Sequence, residues 1–291
     1  MNFKTLLVHV DTSRQATTRI DLAAQIAMTH DAHLIGSAMT GISRVVFQDN
    51  PIRPPDPVLL HHVDALRDHA RRAMQQFEER AHLAGVTSVE SRLVDDDPAA
   101  GMGIQTRYAD LAVIGQFDPD DPVPGLMSDF PASVLMQSSH PVLIVPFASK
   151  SIKPFARALI AWDASMTASR AVTGALPLLR TASVVDVVVF NASAQDEAHG
   201  ELPGSDLALY LARHGVSVNV IDRRTDIDIG NALLSLCADQ GSDLLVMGGY
   251  GHTRFREILL GGATQTVLES MTLPVLMAHW FSSRHLAFGS R

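Results

Sequence analysis

From Gly248 to Thr264 the chain reads Gly248-Gly249-Tyr250-Gly251-His252-Thr253-Arg254-Phe255-Arg256-Glu257-Ile258-Leu259-Leu260-Gly261-Gly262-Ala263-Thr264. An apolar run, Leu244-Leu245-Val246-Met247, precedes it, and a helical pattern at Thr264, Val267, Leu268 and Met271 follows. Glycines at both ends let a backbone approach a ligand and adopt positive φ, while a helix amino terminus offers unpaired N–H groups and the positive end of its dipole. His252, Arg254 and Arg256 add donors and positive charge, and with Glu257 subtracted the loop is formally +1. These residue types suit the holding of a phosphate chain. They do not suit covalent catalysis, since the lysine and hydroxyl residue of a Walker A loop are absent and no Ser, His and Asp trio stands out.

The elements that must position this loop come from an internal repeat. Leu6-Leu7-Val8-His9-Val10-Asp11-Thr12-Ser13 answers to Leu159-Ile160-Ala161-Trp162-Asp163-Ala164-Ser165, and Leu111-Ala112-Val113-Ile114-Gly115 answers to Leu244-Leu245-Val246-Met247-Gly248. Pro141-Val142-Leu143-Ile144-Val145 is matched by Pro274-Val275-Leu276-Met277-Ala278. Asp163 follows Asp11 by 152 positions, whereas Gly248 follows Gly115 by 133, so the first half carries 19 extra residues, assigned to the Pro-rich stretch from Asn50 to Pro57. Two domains are therefore expected, 1–150 and 151–291, which suits a chain of 291 residues. Apolar runs alternate with segments of helical period, such as Ile20, Ala23, Ala24 and Ala27 or Ala168, Ala171, Val172 and Ala175. That alternation predicts α/β halves, each an open parallel sheet of five strands with helices on both faces and the ligand site beyond the strands' carboxyl ends.

The spacing of Gly248, Gly251, Gly261 and the small residue after it resembles the ATP-binding signature of the universal stress protein family, and the repeat resembles that family's tandem form. The resemblance implies a flavodoxin-like sheet, related to the adenine nucleotide alpha hydrolase type, in each half. It also implies a stress-response role exercised through conformation or partner choice, and ATP or another adenine nucleotide, with or without Mg2+, as ligand. By match of position, Asp163 would contact ribose or base, Val189 would face adenine, and Gly248, Gly251, Gly261 and Gly262 would line the phosphates, with His252 and Arg254 beside them. Many members carry Ser or Thr where this chain has Gly262, and Thr264 is the candidate to supply that hydroxyl. The family also dimerises. A tandem chain would mimic the dimer by pairing Pro141–Pro146 with Pro274–His279 across a pseudo-twofold axis, with a homodimer of the whole chain as a further expectation. A weak ATPase or phosphotransferase, and a nucleotide-free scaffold, are the alternative functions.

Laid on the same offset, the first-half loop has lost its glycines. Gly251 is matched by Asp118, Gly261 by Ser128, Gly262 by Asp129 and Thr264 by Pro131; only Gly115 is kept. From Gly115 to Pro131 the formal charge is −4, with Asp118, Asp120, Asp121 and Asp129 and no Lys or Arg. Like charge and new Cβ atoms both oppose a triphosphate, so this half is read as degenerate: a solvated acidic loop, with Gly125-Leu126-Met127 available to pack over a vacant cleft.

A net charge of −8 argues against nucleic acid or an anionic membrane as partner, and no apolar run reaches the roughly 18 residues of a membrane span. The single Cys237 supports no intrachain disulfide and is expected to be buried; with no signal-peptide pattern at the start, a cytoplasmic setting is expected. His61, His62 and His69 are read as a solvated face of a helix from Asp56 to Ala84, without a metal role. Thr12, Ser13 and Ser165 are expected to cap the first helices, Asp110 and Asp243 to serve as turn or cap residues, and Asp186 to mark a sheet edge or bend.

Overall fold

The computed structural model describes residues 2–42, 57–149, 155–192, 204–250 and 262–279. Of the residues singled out above, Gly251, His252, Arg254, Arg256, Glu257 and Gly261 lie outside these ranges, as do the Pro-rich stretch up to residue 56 and residues 150–154 between the halves.

The described chain forms one ten-stranded sheet of order β3-β2-β1-β4-β5-β10-β9-β6-β7-β8. The N-terminal half supplies β1 (Thr5–His9), β2 (His33–Met39), β3 (Val89–Val94), β4 (Leu111–Gly115) and β5 (Val142–Val145). The C-terminal half supplies β6 (Arg157–Ala161), β7 (Val184–Phe190), β8 (Asn219–Arg223), β9 (Leu244–Gly248) and β10 (Val275–Ala278). Pairing is parallel within each half, and the halves meet antiparallel at β5 and β10, with Val275 opposite Ile144, Leu276 opposite Leu143 and Met277 opposite Val142. The expected junction across a pseudo-twofold axis is thus present. It removes two of the four edges that separate five-stranded sheets would expose.

Eight α-helices cover the faces among the described residues: α1 (Ala16–His30), α2 (Pro57–Leu83), α3 (Pro98–Gln105), α4 (Phe130–Gln137), α5 (Met166–Leu179), α6 (Ser205–Arg213), α7 (Ile229–Gln240) and α8 (Gly262–Ser270). Strand side chains alternate between two cores, as the two-residue period requires. Leu6, Val8 and Val246 pack under α1, α2, α5 and α6, whereas Leu7, Leu245 and Met247 pack under α3, α4, α7 and α8. No helix among the described residues is long and apolar enough to cross a membrane.

Three local expectations are corrected. Asp186 marks neither an edge nor a bend, because β7 runs between β6 and β8. Its carboxylate is 4% exposed and is met by Asn219 Nδ2 at 3.0 Å and Arg157 Nη1 at 3.8 Å, partners from neighbouring strands that local sequence does not reveal. Thr12 and Ser13 do not cap α1, whose first flanking residue is Gln15 with no side-chain cap bond. Ser165 does cap α5, accepting from the Ala168 N–H at 3.1 Å. Asp110 and Asp243 serve as matched strand anchors: Asp110 accepts from the N–H groups of Lys4 and Thr5, and Asp243 from those of Ala156 and Arg157. Each pins the start of its half's first strand to the start of its fourth.

Candidate nucleotide cleft and its closed counterpart

Asp163 leaves β6 at its carboxyl end and starts the turn into α5. The turn needs a left-handed residue, Ala164 at φ +57°, and it is held by the Ser165 N–H donating to Asp163 Oδ1 at 3.0 Å. Ser165 Oγ lies 3.0 Å from Thr167 Oγ1, and Thr167 in turn abuts Gly248 at the end of β9. A Cβ on Gly248 would stand 2.5 Å from Thr167 Oγ1 and 2.6 Å from the Ala168 nitrogen, so only glycine lets the strand end meet the start of α5. Beyond it, the Tyr250 N–H donates to Thr264 Oγ1 at 3.2 Å and a His279 ring nitrogen pairs with the Gly249 carbonyl at 3.1 Å. These bonds bring the loop's departure and its return on α8 together.

The structure therefore gathers Asp163, Gly248, Gly262 and Thr264 at the carboxyl end of the C-terminal strands. Gly262 is exposed at the start of α8, whereas Thr264 is 4% exposed and its oxygen already accepts the Tyr250 bond. Val189 sits at the same end but is fully buried, with Cγ2 packed 3.4 Å from the place a Cβ on Gly204 would take. Asp228 is a neighbour that sequence reasoning missed. It caps α7 through the Asn231 N–H, and its other carboxylate oxygen lies 3.9 Å from the Cβ position of Gly262. Only its place as an N-cap of the preceding helix could have pointed to it.

The corresponding place in the N-terminal half is filled. Asp11, the counterpart of Asp163, is 7% exposed and faces Arg19 Nη2 at 3.0 Å and His9 Nδ1 at 3.4 Å, and it accepts both the Ser13 N–H and hydroxyl. Arg19 is 2% exposed, donates from Nε to the His9 carbonyl at 2.7 Å, and lies so close to Gly115 that a Cβ there would collide with Nη1. On the 152-residue offset its counterpart is Ala171. Burial would raise the Asp11 pKa, but the Arg19 guanidinium, His9 and the Ser13 bonds carry it down to about 2. Burial pushes His9 down to about 4, against the pull of Asp11, so the ring is neutral near pH 7.

The acidic loop lies over the same cleft: Asp120 and Asp129 are exposed, as expected of a solvated loop, whereas Asp118 and Asp121 are half-buried and line what remains of the cleft. Asp121 accepts from the Arg14 N–H at 2.7 Å and pairs with the Arg14 guanidinium at 3.5 Å, while Arg14 Nη2 donates to the Asp120 carbonyl at 3.0 Å. Gly125, at φ +80°, lies back to back with Gly41, at φ +75°, just beyond β2; a Cβ on either would come within about 3.1 Å of the other's Cα. Leu126 packs against the apolar core while Met127 remains exposed, so only part of the expected plug is in place. What is left between Asp11, Arg19, Gln116 and Leu126 is a cavity of about 20 Å³, room for a single water.

Among the described residues no group of three or more His, Cys, Asp or Glu side chains is placed to hold a metal ion, and His61, His62 and His69 are exposed. Cys237 is buried, which pushes its thiol up to about 12 and leaves it without thiolate character.

Known proteins share this fold. Residues 154–279 match the model of the universal stress protein family. A universal stress protein of Methanocaldococcus jannaschii is 38% identical over 45 residues, 16% of this chain and 28% of the relative. One from Synechocystis is 25% identical over 145 residues, 49% of this chain and 48% of the relative. The matched segments thus span less than half the length of either relative. The crystal structure of a universal stress protein from Archaeoglobus fulgidus superposes with a TM-score of 0.69 at 16% identity, covering 94% of this chain and 96% of that one, a likeness of fold. Residues 154–279 thus belong to the universal stress protein family, and the same five-stranded fold repeated before them gives the chain the tandem form of that family.

Proposed function

We propose that this protein is a cytoplasmic stress-response protein that binds ATP or a related adenine nucleotide in the cleft of its C-terminal half, residues 151–291, and that its N-terminal half, residues 1–150, is a closed counterpart. The observation that carries the reading is the contrast between Arg19 and Ala171. In the first half a buried guanidinium neutralises Asp11 and fills the cleft. In the second, Ala171 offers only a methyl group at the position from which Arg19 fills the first, and the loop that follows keeps Gly248, Gly251, Gly261 and Gly262 with a formal +1 charge. A triphosphate would lie along that loop, near the amino end of α8 and within reach of His252 and Arg254, with Asp163 toward the ribose. Asp228 beside Gly262 places a carboxylate at the edge of this site, so Mg2+ is the natural companion of the bound phosphates.

Binding is the activity this arrangement supports, with the nucleotide state biasing conformation or partner choice. Equilibrium dialysis of the nucleotide-stripped chain with labelled ATP tests it, using Gly251→Asp to give the second loop the residue found at Asp118. Saturable binding lost in that variant is expected. Unchanged binding in Gly251→Asp would remove the phosphate assignment, and no binding by the parent chain would remove the nucleotide.

A further inference from the structure

We propose that Gln116, on the N-terminal half, is a positioning residue for α8, the helix whose first turn faces the phosphates in the C-terminal half; the inference rests on the nucleotide reading above. The last four carbonyls of an α-helix have no partner within it. Two of those at the end of α8, on Leu268 and Glu269, accept from Gln116 Nε2 at 2.9 and 3.1 Å. The donor is itself fixed. Gln116 Oε1 accepts the Phe147 N–H at 3.1 Å, the Gln116 N–H donates to the Val145 carbonyl at 2.8 Å, and the residue is 8% exposed.

The opposite end of α8 is held as tightly. Thr264 Oγ1 takes the Tyr250 N–H, and Gly230 of α7 lies so near that a Cβ on it would stand 2.7 Å from Thr266 Cβ and 2.9 Å from the Ala263 carbonyl oxygen. A nine-residue helix is a short rigid rod, so a donor pair at its carboxyl end fixes the axial position of the N–H groups at its amino end. The contact is not a by-product of the pseudo-symmetry. On the 133-residue offset the counterpart of Gln116 is Gly249, which has no side chain to offer and instead admits Leu135 of α4, whose Cδ2 is 2.6 Å from the missing Cβ. The half whose own cleft is closed thus supplies a polar clamp to the half whose cleft is kept, and among the described residues receives none in return.

A clamp of this kind changes affinity for the phosphates and leaves affinity for the nucleoside alone. The test titrates the full chain, Gln116→Leu and Gln116→Lys with ATP and with adenosine, and follows hydrogen exchange of the α8 amides without ligand. In Gln116→Leu, ATP affinity falls about three- to tenfold while adenosine affinity holds, and the α8 amides exchange faster. Gln116→Lys, which keeps a donor at the negative end of the helix, recovers most of both. Equal loss of ATP and adenosine affinity, or undisturbed ATP binding and α8 protection in Gln116→Leu, would overturn the proposal. Should the parent chain bind no ATP, the nucleotide reading fails by itself, and unchanged α8 exchange in Gln116→Leu would still count against the clamp.

Discussion

At the scale of single residues, the two halves differ most at positions 19 and 171. Removing Arg19 leaves Asp11 buried with no full countercharge, so Arg19→Ala should destabilise the chain by about 3–5 kcal/mol in urea denaturation. A loss within about 0.5 kcal/mol, the usual range for surface substitutions, would mean that the pair is solvated and the cleft open. The same cluster sets a pH dependence. His9 titrates near 4 in the fold against 6.5 ordinarily, so the unfolded chain binds more protons between those values and stability falls as pH drops through that window. Asp11, held near 2 against 3.8, contributes stability that is complete above 3.8 and is lost as pH falls toward 2. Denaturation at several pH values should show the upper slope diminished in His9→Asn; an identical slope would assign it to other groups. The buried ion pair was not legible in sequence. Arg19 sits beside Ile20 in a helical run, and nothing local announces that its guanidinium turns inward to an aspartate eight positions earlier.

At the scale of elements, helix periods and apolar runs were legible because they depend on nearest neighbours and on which face meets the sheet. The helix expected over Asp56–Ala84 runs from Pro57 to Leu83, and β9 with its terminal Gly248 falls where the apolar run ends. What escaped were contacts between elements, such as Asp228 reaching the start of α8 and Asn219 meeting Asp186 across two strands. The junction of β9 with α5 gives a direct test. A Cβ at Gly248 meets backbone as well as side-chain atoms of Thr167 and Ala168, so Gly248→Ala should cost about 1–3 kcal/mol of stability and weaken ATP binding. Full stability in denaturant together with parental affinity would show that the junction has slack. Asp228→Asn should leave the α7 cap largely in place while weakening the dependence of ATP affinity on Mg2+. An unaltered Mg2+ dependence would place the cation elsewhere.

At the scale of the whole molecule, the repeat was the most informative feature of the sequence. It predicted two five-stranded sheets, and the family resemblance added the pairing of their last strands, which the structure shows as the antiparallel meeting of Val142–Val145 with Val275–Ala278 in one ten-stranded sheet. Both faces of that seam are buried, so the halves should unfold together. Leu143 and Leu276 face each other there with no exposure, and Leu143→Asp would bury a charge at the seam. Calorimetry should show one transition in the parent chain and two, or one at much lower temperature, in that variant. A variant that melts like the parent would mean the seam contributes little. Two halves joined in this way give one chain two clefts, of which only the C-terminal one is proposed to accept a ligand.

Isothermal titration of the nucleotide-stripped chain with ATP and Mg2+ tests that claim most directly, because it counts sites. A stoichiometry of one per chain is predicted, abolished by Gly251→Asp and unaffected by substitution of the acidic residues Asp118 and Asp120. Two sites per chain, or a single site that survives Gly251→Asp, would contradict it.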